Sequence, residues 1–197
     1  LMGMENLLMA IVAEPQLVTA LVDLSVDLNL KLAREIVSRG AEFVYTGDDI
    51  ASNTGPFMSP RHFRALFYPG FCRVMRGYKE LGLHVIKHTD GNLWPIFDLL
   101  VDSGIDCLDP IDPQAGMDLA AVKERIAGRI AIKGNVDCAH LMTFGTPDET
   151  AEATRQALRA GMPGGGYICS SSNSIHSGVK PENYLALLQT VRAEGVY

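Results

Sequence analysis

Along nearly its whole length the chain alternates short apolar runs with amphipathic helical stretches, and this alternation restricts the fold more than any other feature. Helical periodicity covers 5–13 and then Pro15 to Arg39, where Leu17, Leu21, Leu24, Leu28, Leu32 and Ile36 recur at helical spacing before Gly40 supplies a stop. A strand follows at 42–46. Strands at 83–87, 105–108, 130–133 and 167–169 then alternate with helices at 60–81, 92–103, 118–127, 147–160 and 181–194. Ser59 and Pro60 suit the N-cap and first turn of the helix they open. Strands separated by helices of this length pair in parallel through right-handed crossovers.

A doubly wound sheet and a (β/α) barrel both accept that pattern. No GxGxxG opens the first unit, and polar residues recur at the C-terminal end of every strand rather than at one switch point; both favour the barrel. Five units fall short of the eight in a closed barrel of about 250 residues. Position 1 is Leu rather than Met. The expectation is therefore one domain, 1–197, holding the C-terminal five strand–helix units of a (β/α)8 TIM barrel, with three N-terminal units outside it.

A hydrophobic fraction of 47% and a mean hydropathy of +0.11 suit a packed globular core. The richest apolar stretch, Leu17 to Val37, is broken by Asp23, Asp27, Lys31, Arg34 and Glu35, well short of the roughly 20 residues that span a bilayer. The first residues carry no positively charged segment of the signal-peptide type. A net charge of −6 offers no footprint for nucleic acid or an anionic membrane. Cys72, Cys107, Cys138 and Cys169 are widely spaced and form no CxxC pair, as expected of reduced cysteines in a cytoplasmic enzyme.

In a parallel barrel the loops after the strands form the catalytic face. They carry Asp48, Asp49 and Asn53, then His88, Asp90 and Asn92, then Asp109 and Asp112, then Lys133, Asn135 and Asp137, and finally Ser170 to Asn173 with His176. Such a mouth is acidic, with Lys87 and Lys133 as its main basic residues, and it attracts cations and repels polyanions. Alternate residues of an extended segment point the same way, so His88 and Asp90 can share a metal ion; they equally suit a hydrogen-bonded histidine followed by an Asp-Gly turn. Asp48 and Asp49 suit a general base, a cation ligand, or an Asx turn. The run Gly164-Gly165-Gly166 precedes a strand and reads as a connection, not an anion loop at a helix start. Ser170 to Ser174 suits ligand contact or a hydroxyl-rich turn. None of the cysteines has a local histidine partner, and Cys169 suits a buried strand position.

The stretch from HTDGN at 88–92 through GMDL at 116–119, then KGNVD at 133–137, GTPDE at 145–149, GGGYI at 164–168 and SSSNSIHSGVKPEN at 170–183, resembles the uroporphyrinogen decarboxylase superfamily. Order and spacing match from about Gly40 to the C-terminus. That superfamily joins the haem-pathway decarboxylase of porphyrin biosynthesis to cobalamin-dependent and coenzyme M methyltransferases, all on a TIM barrel. The resemblance implies longer relatives, often homodimers, and leaves three readings: a methyltransferase, a carboxy-lyase, and an inactive binding module.

Departures from the family's patterns separate the readings. The decarboxylase segment matching Gly47 to Ala51 resembles FDSWA, and Asp49 stands where its substrate-contacting serine would be. The histidine of the decarboxylases' NxGHG-like loop falls at Asn173. Uroporphyrinogen is a polycarboxylate and needs cationic partners, whereas this mouth offers aspartates. The methyltransferases hold zinc with an HxC pair and a distant cysteine; His88 matches the histidine, with Asp90 and Asn173 at the cysteine positions. The resemblance thus implies a zinc site at His88, Asp90 and Asn173, catalysis by Asp48, Asp49 and His88, and substrate binding by Asn92, Asp109, Asn135, Asn173 and His176. A corrinoid on a partner protein would exchange a methyl group at the mouth with a small-molecule donor or acceptor.

Overall fold

The computed structural model describes residues 2–196; Leu1 and Tyr197 lie outside them. Helices α1 (Met4–Ala13) and α2 (Pro15–Ser38) lead into β1 (Phe43–Gly47). Arg39 and Gly40 close α2, and Gly40 takes the left-handed φ of 90° that only glycine adopts without strain. Val18, Val26 and Ala33 form the buried face of α2. The leucine stripe lies on the opposite face, with Leu24, Leu28 and Leu32 58%, 56% and 56% exposed, because the neighbours that α2 has here sit on its valine side.

After β1 comes a feature that the periodicity does not announce, a small antiparallel hairpin of β2 (Ala51–Ser52) and β3 (Gly55–Pro56). The Ser59 hydroxyl then accepts from the His62 N–H at 3.2 Å and starts a helical stretch of three parts: α3 (Pro60–His62), a π-helical segment Phe63–Phe67, and α4 (Tyr68–Glu80). Strand β4 is His84–His88. The helix expected over 92–103 is shorter. Asn92 Oδ1 accepts from the Trp94 N–H at 3.2 Å, and a 3-10 turn, Trp94–Ile96, precedes α5 (Phe97–Val101). Then follow β5 (Cys107–Ile111), α6 (Leu119–Ile126), β6 (Ala131–Val136), α7 (Leu141–Phe144), α8 (Pro147–Gly161), β7 (Tyr167–Ser171) and α9 (Pro181–Glu194). Asp118 caps α6, and Thr146 with Glu149 forms a capping box on α8.

Five strands form one parallel sheet in the order β1-β4-β5-β6-β7. Each new strand adds on the same side of the last, so the order never reverses, and a reversal is what defines a doubly wound sheet. The sheet is an arc of a (β/α) barrel, with its core between strands and helices at Val85, Leu108, Ile132, Phe97, Val122 and Ile126. Among the described residues β1 and β7 are the edges. They expose Phe43 (61%), Tyr45 (49%) and Ile168 (45%). No helix among the described residues is long and apolar enough to cross a membrane.

Candidate active site

The strands run further toward the mouth than their apolar patterns suggest, so His88 is the last residue of β4 and Asp109 lies inside β5. The two are register partners. Parallel pairing therefore sets them side by side, and His88 Nδ1 lies 2.7 Å from Asp109 Oδ2. Asp109 is 1% exposed. Tyr45 of β1 donates its hydroxyl to the same Oδ2 and sits 2.8 Å from His88 Nδ1, while Lys133 of β6 bonds Asp109 Oδ1. Four neighbouring strands thus contribute one polar side chain each to a single cluster.

Burial alone would raise the Asp109 pKa, but the bonds from His88, Lys133 and Tyr45 outweigh it and hold the carboxyl below its ordinary value. The bond to Asp109 raises the His88 pKa against the opposing effect of burial. Burial, reinforced by Asp109, raises the Tyr45 phenol. With a proton on Nδ1 facing Asp109, His88 presents Nε2 to the mouth, where Asp49 Oδ1 is 3.9 Å away.

The Asp49 side of the mouth is tied to the histidine loop at three points. Thr89 Oγ1, fully buried, accepts from the Ile50 N–H at 2.9 Å. Asp49 Oδ1 is 3.4 Å from the Asp90 N–H. Lys87, also fully buried, donates to Asp48 Oδ1 at 2.7 Å, Asp48 O at 2.8 Å and His88 O at 2.8 Å. Burial lowers the Lys87 pKa although Asp48 opposes it. Asp90 accepts from Asn173 Nδ2 at 2.6 Å, and burial together with the Asp49 charge raises its pKa.

Of the nine residues given a catalytic, zinc-binding or substrate-binding role from the sequence, Asp48, Asp49, His88, Asp90, Asp109 and Asn173 are joined in this one chain of contacts. The other three lie outside it. Asn92 spends its side-chain oxygen on the Trp94 turn. Asn135 sits at the end of β6 beside Ser170. His176 is exposed, with Nδ1 accepting from the Gly178 N–H at 3.1 Å and Nε2 3.5 Å from the Thr143 hydroxyl. Asp109, expected to contact substrate, is buried and bonds three protein side chains, because its strand position faces Tyr45, His88 and Lys133. Tyr45 carries no local sequence signal; it joins the site only through parallel pairing.

At the trio expected to hold zinc, Asp90 and Asn173 are hydrogen-bonded to each other. The Asn173 amide turns its N–H toward Asp90, and its Oδ1 accepts from the Ser174 N–H at 2.7 Å. An N–H donor cannot ligate a cation, and the thiolates that suit zinc best are replaced here. Among the described residues no three His, Cys, Asp or Glu side chains converge closely enough to hold a metal ion. Burial also pushes the Cys107 thiol up to about 12 and raises those of Cys138 and Cys169, which opposes thiolate chemistry.

Comparison with known proteins adds relatives to this geometry. The uroporphyrinogen decarboxylase (URO-D) family model matches residues 1–194. The chain is 26% identical over 175 residues to a uroporphyrinogen decarboxylase of Psychromonas ingrahamii, covering 86% of this chain and 46% of that protein. It is 25% identical over 157 residues to the methylcobamide:CoM methyltransferase MtbA of Methanosarcina acetivorans, covering 78% of this chain and 44% of that protein. A solved methyltransferase from Methanosarcina mazei superimposes with a TM-score of 0.83 at 21% identity, over 98% of this chain and 54% of that one, a likeness of fold. The chain spans about half the length of the curated relatives it matches.

Proposed function

Because the chain belongs to the uroporphyrinogen decarboxylase family, we propose that it supplies the C-terminal units of a (β/α)8 barrel that moves a methyl group between a partner protein's corrinoid and a small-molecule donor or acceptor. The apolar side chains left exposed on both sheet edges, Phe43 and Ile168 among them, suit closure by further strand–helix units. One observation carries the choice of reaction: the mouth is acidic and its two lysines are already engaged, Lys87 by Asp48 and Lys133 by Asp109. A polycarboxylate meets repulsion there, whereas a neutral or cationic methyl compound does not. The kinship with MtbA, whose name describes methylcobamide chemistry, agrees with this reading.

The corrinoid enters as co-substrate and supplies or takes the methyl group. What remains for the protein is the proton on the other partner. A leaving oxygen, nitrogen or sulfur needs a proton as its bond to methyl breaks, and an acceptor must lose one as that bond forms. His88 Nε2 serves both directions, since the Asp109 bond keeps the imidazolium accessible toward neutral pH and fixes the ring. Asp48 and Asp49 orient the substrate, Asp49 beside the histidine and Asp48 tethered by Lys87. No step uses zinc.

The test combines the intact protein with free cob(I)alamin and methoxy or methylamine donors, and with methylcobalamin and thiol acceptors, following the cobalamin spectrum. Transfer in one direction is expected, reduced by about 10²–10⁴-fold in His88→Gln. Failure in both directions, with uroporphyrinogen consumed by the same preparation, sinks the proposal. That outcome would establish the carboxy-lyase reading, which the identity to decarboxylases supports.

A further inference from the structure

One carboxyl of the mouth has an oxygen that no protein group uses. Asp112 follows β5 directly and is only 8% exposed. Its Oδ1 accepts from the Gln114 N–H at 2.9 Å, and its backbone carbonyl accepts from the Ala115 and Met117 N–H groups, each at 3.2 Å. The residue is thereby fixed at the head of a 3-10 turn, Pro113–Ala115. Oδ2 accepts no hydrogen bond among the described residues, although the residue is more than nine-tenths buried. Nor is that oxygen sealed away: the sealed side-chain atoms without partners among the described residues are Thr46 Oγ1 and Asn183 Oδ1. The charges that act on the carboxyl are Asp90 from the loop after β4 and Asp137 from the loop after β6, so the open oxygen faces the mouth.

Its surroundings lack positive charge. No lysine, arginine or histidine is among the groups that act on Asp112. Asp109, the other buried carboxyl among the described residues, spends both oxygens on Tyr45, His88 and Lys133. Asp137 is likewise occupied, accepting from Gln114 Nε2 at 2.5 Å and from the His140 N–H at 3.0 Å. A buried carboxyl with no cation beside it is left with a proton or with a cation that arrives from outside. A bare metal ion fits poorly, because no three His, Cys, Asp or Glu side chains among the described residues converge closely enough to hold one. An ammonium group needs one direct acceptor and brings its own donor. We propose that Asp112 Oδ2 anchors the N–H of a small organic ammonium ion, so that the substrate of this mouth is a methylated amine in its cationic form. Its role as methyl donor or acceptor rests on the methyl-transfer reading; its binding does not, and is measured without turnover.

The experiment is a ligand-observed NMR titration of the intact protein with methylammonium, dimethylammonium and trimethylammonium chloride, with methanol as the neutral competitor. The ammonium ions should bind saturably, and methanol should not displace them. Asp112→Asn keeps the bond to Gln114, since Asn caps a turn as Asp does, and should weaken ammonium binding by about tenfold or more. Asp102→Asn removes the same charge at an exposed ion pair with Arg129 beyond α5 and should leave binding unchanged, which separates a contact from a general field. Far-UV circular dichroism checks each fold; if Asp112→Asn does not fold, Asp112→Ser takes its place. Equal ammonium binding in the parent and the folded Asp112 variant, no saturable binding by the parent, or displacement by methanol overturns the proposal. Ammonium binding that depends on Asp112, without methyl transfer to cob(I)alamin, removes the functional reading and leaves this one standing. Methyl transfer from methoxy donors with no ammonium binding does the reverse.

Discussion

Replacing Asp109 with Asn keeps the side chain's shape and removes only its charge and one acceptor oxygen. At one oxygen a charge-assisted bond to Lys133 becomes an ordinary one. At the other, an amide N–H replaces an acceptor in front of two donors, His88 Nδ1 and the Tyr45 hydroxyl. Breaking a buried ion pair from one side costs about 3–5 kcal/mol, and leaving buried donors unmatched adds to it. The Lys133 side chain keeps 28% of its exposure and Tyr45 keeps 49%, so water can reach both once released. That places the expected loss at the lower end, about 3 kcal/mol, small enough to leave a typical domain of 5–15 kcal/mol folded. In urea unfolding with a slope near 2 kcal/mol/M, the midpoint should fall by about 1.5 M.

The pH dependence gives a second handle on the same substitution. Asp109 has a depressed pKa in the fold, so its contribution is present above the unfolded value and is lost as pH falls through the folded one. His88 has a raised pKa, so its contribution is complete below the unfolded value and is lost as pH rises through the folded one. The gap between parent and Asp109→Asn should therefore be widest in mildly acidic solution and narrow on both sides. A loss below about 1 kcal/mol at that optimum, or a gap indifferent to pH, would refute the argument that Asp109 organises the site.

Two further substitutions test the loops that carry Asp49 and Asp90. Thr89→Val is close to isosteric but strips the acceptor from the buried Ile50 N–H; it should cost about 1–3 kcal/mol, read as a fall of several degrees in Tm. An unchanged Tm would mean that the two loops are not held together there. Gly91→Ala places a Cβ at φ 90°, 2.7 Å from Ser52 O and 2.9 Å from Ala51 O, both backbone. Chemical denaturation should show a loss of at least about 2 kcal/mol, since neither the left-handed backbone nor the β2–β3 hairpin can yield cheaply. Parent-like stability would show that the hairpin shifts freely.

How far the sequence speaks for this protein differs between fold and site. Strand–helix alternation pointed to parallel pairing, because a crossover helix brings the chain back to the starting end of the next strand. It also exposed the polar residues at strand ends, since they interrupt apolar runs. Helix limits were legible where a cap existed, as at Ser59, Asp118 and Thr146, and illegible over 92–103, where an Asx turn at Asn92 competes with helix. Which face of α2 is buried could not be read, because the valine and leucine stripes have similar periodicity and only the neighbours decide between them.

The site divides along the same line. His88 and Asp90 declare themselves through local spacing, and Asp48 and Asp49 through their place after a strand. The contacts that give these residues their properties span 43 residues from Tyr45 to His88, 64 from Tyr45 to Asp109 and 24 from Lys133 to Asp109. No local pattern encodes such distances. Sequence alone determined that this chain builds a parallel strand–helix array with an acidic mouth. The tertiary structure decided that Asp109 bonds Tyr45, His88 and Lys133, and that Asn173 faces Asp90 through its N–H, because strand register and burial, not residue type, choose which polar groups meet.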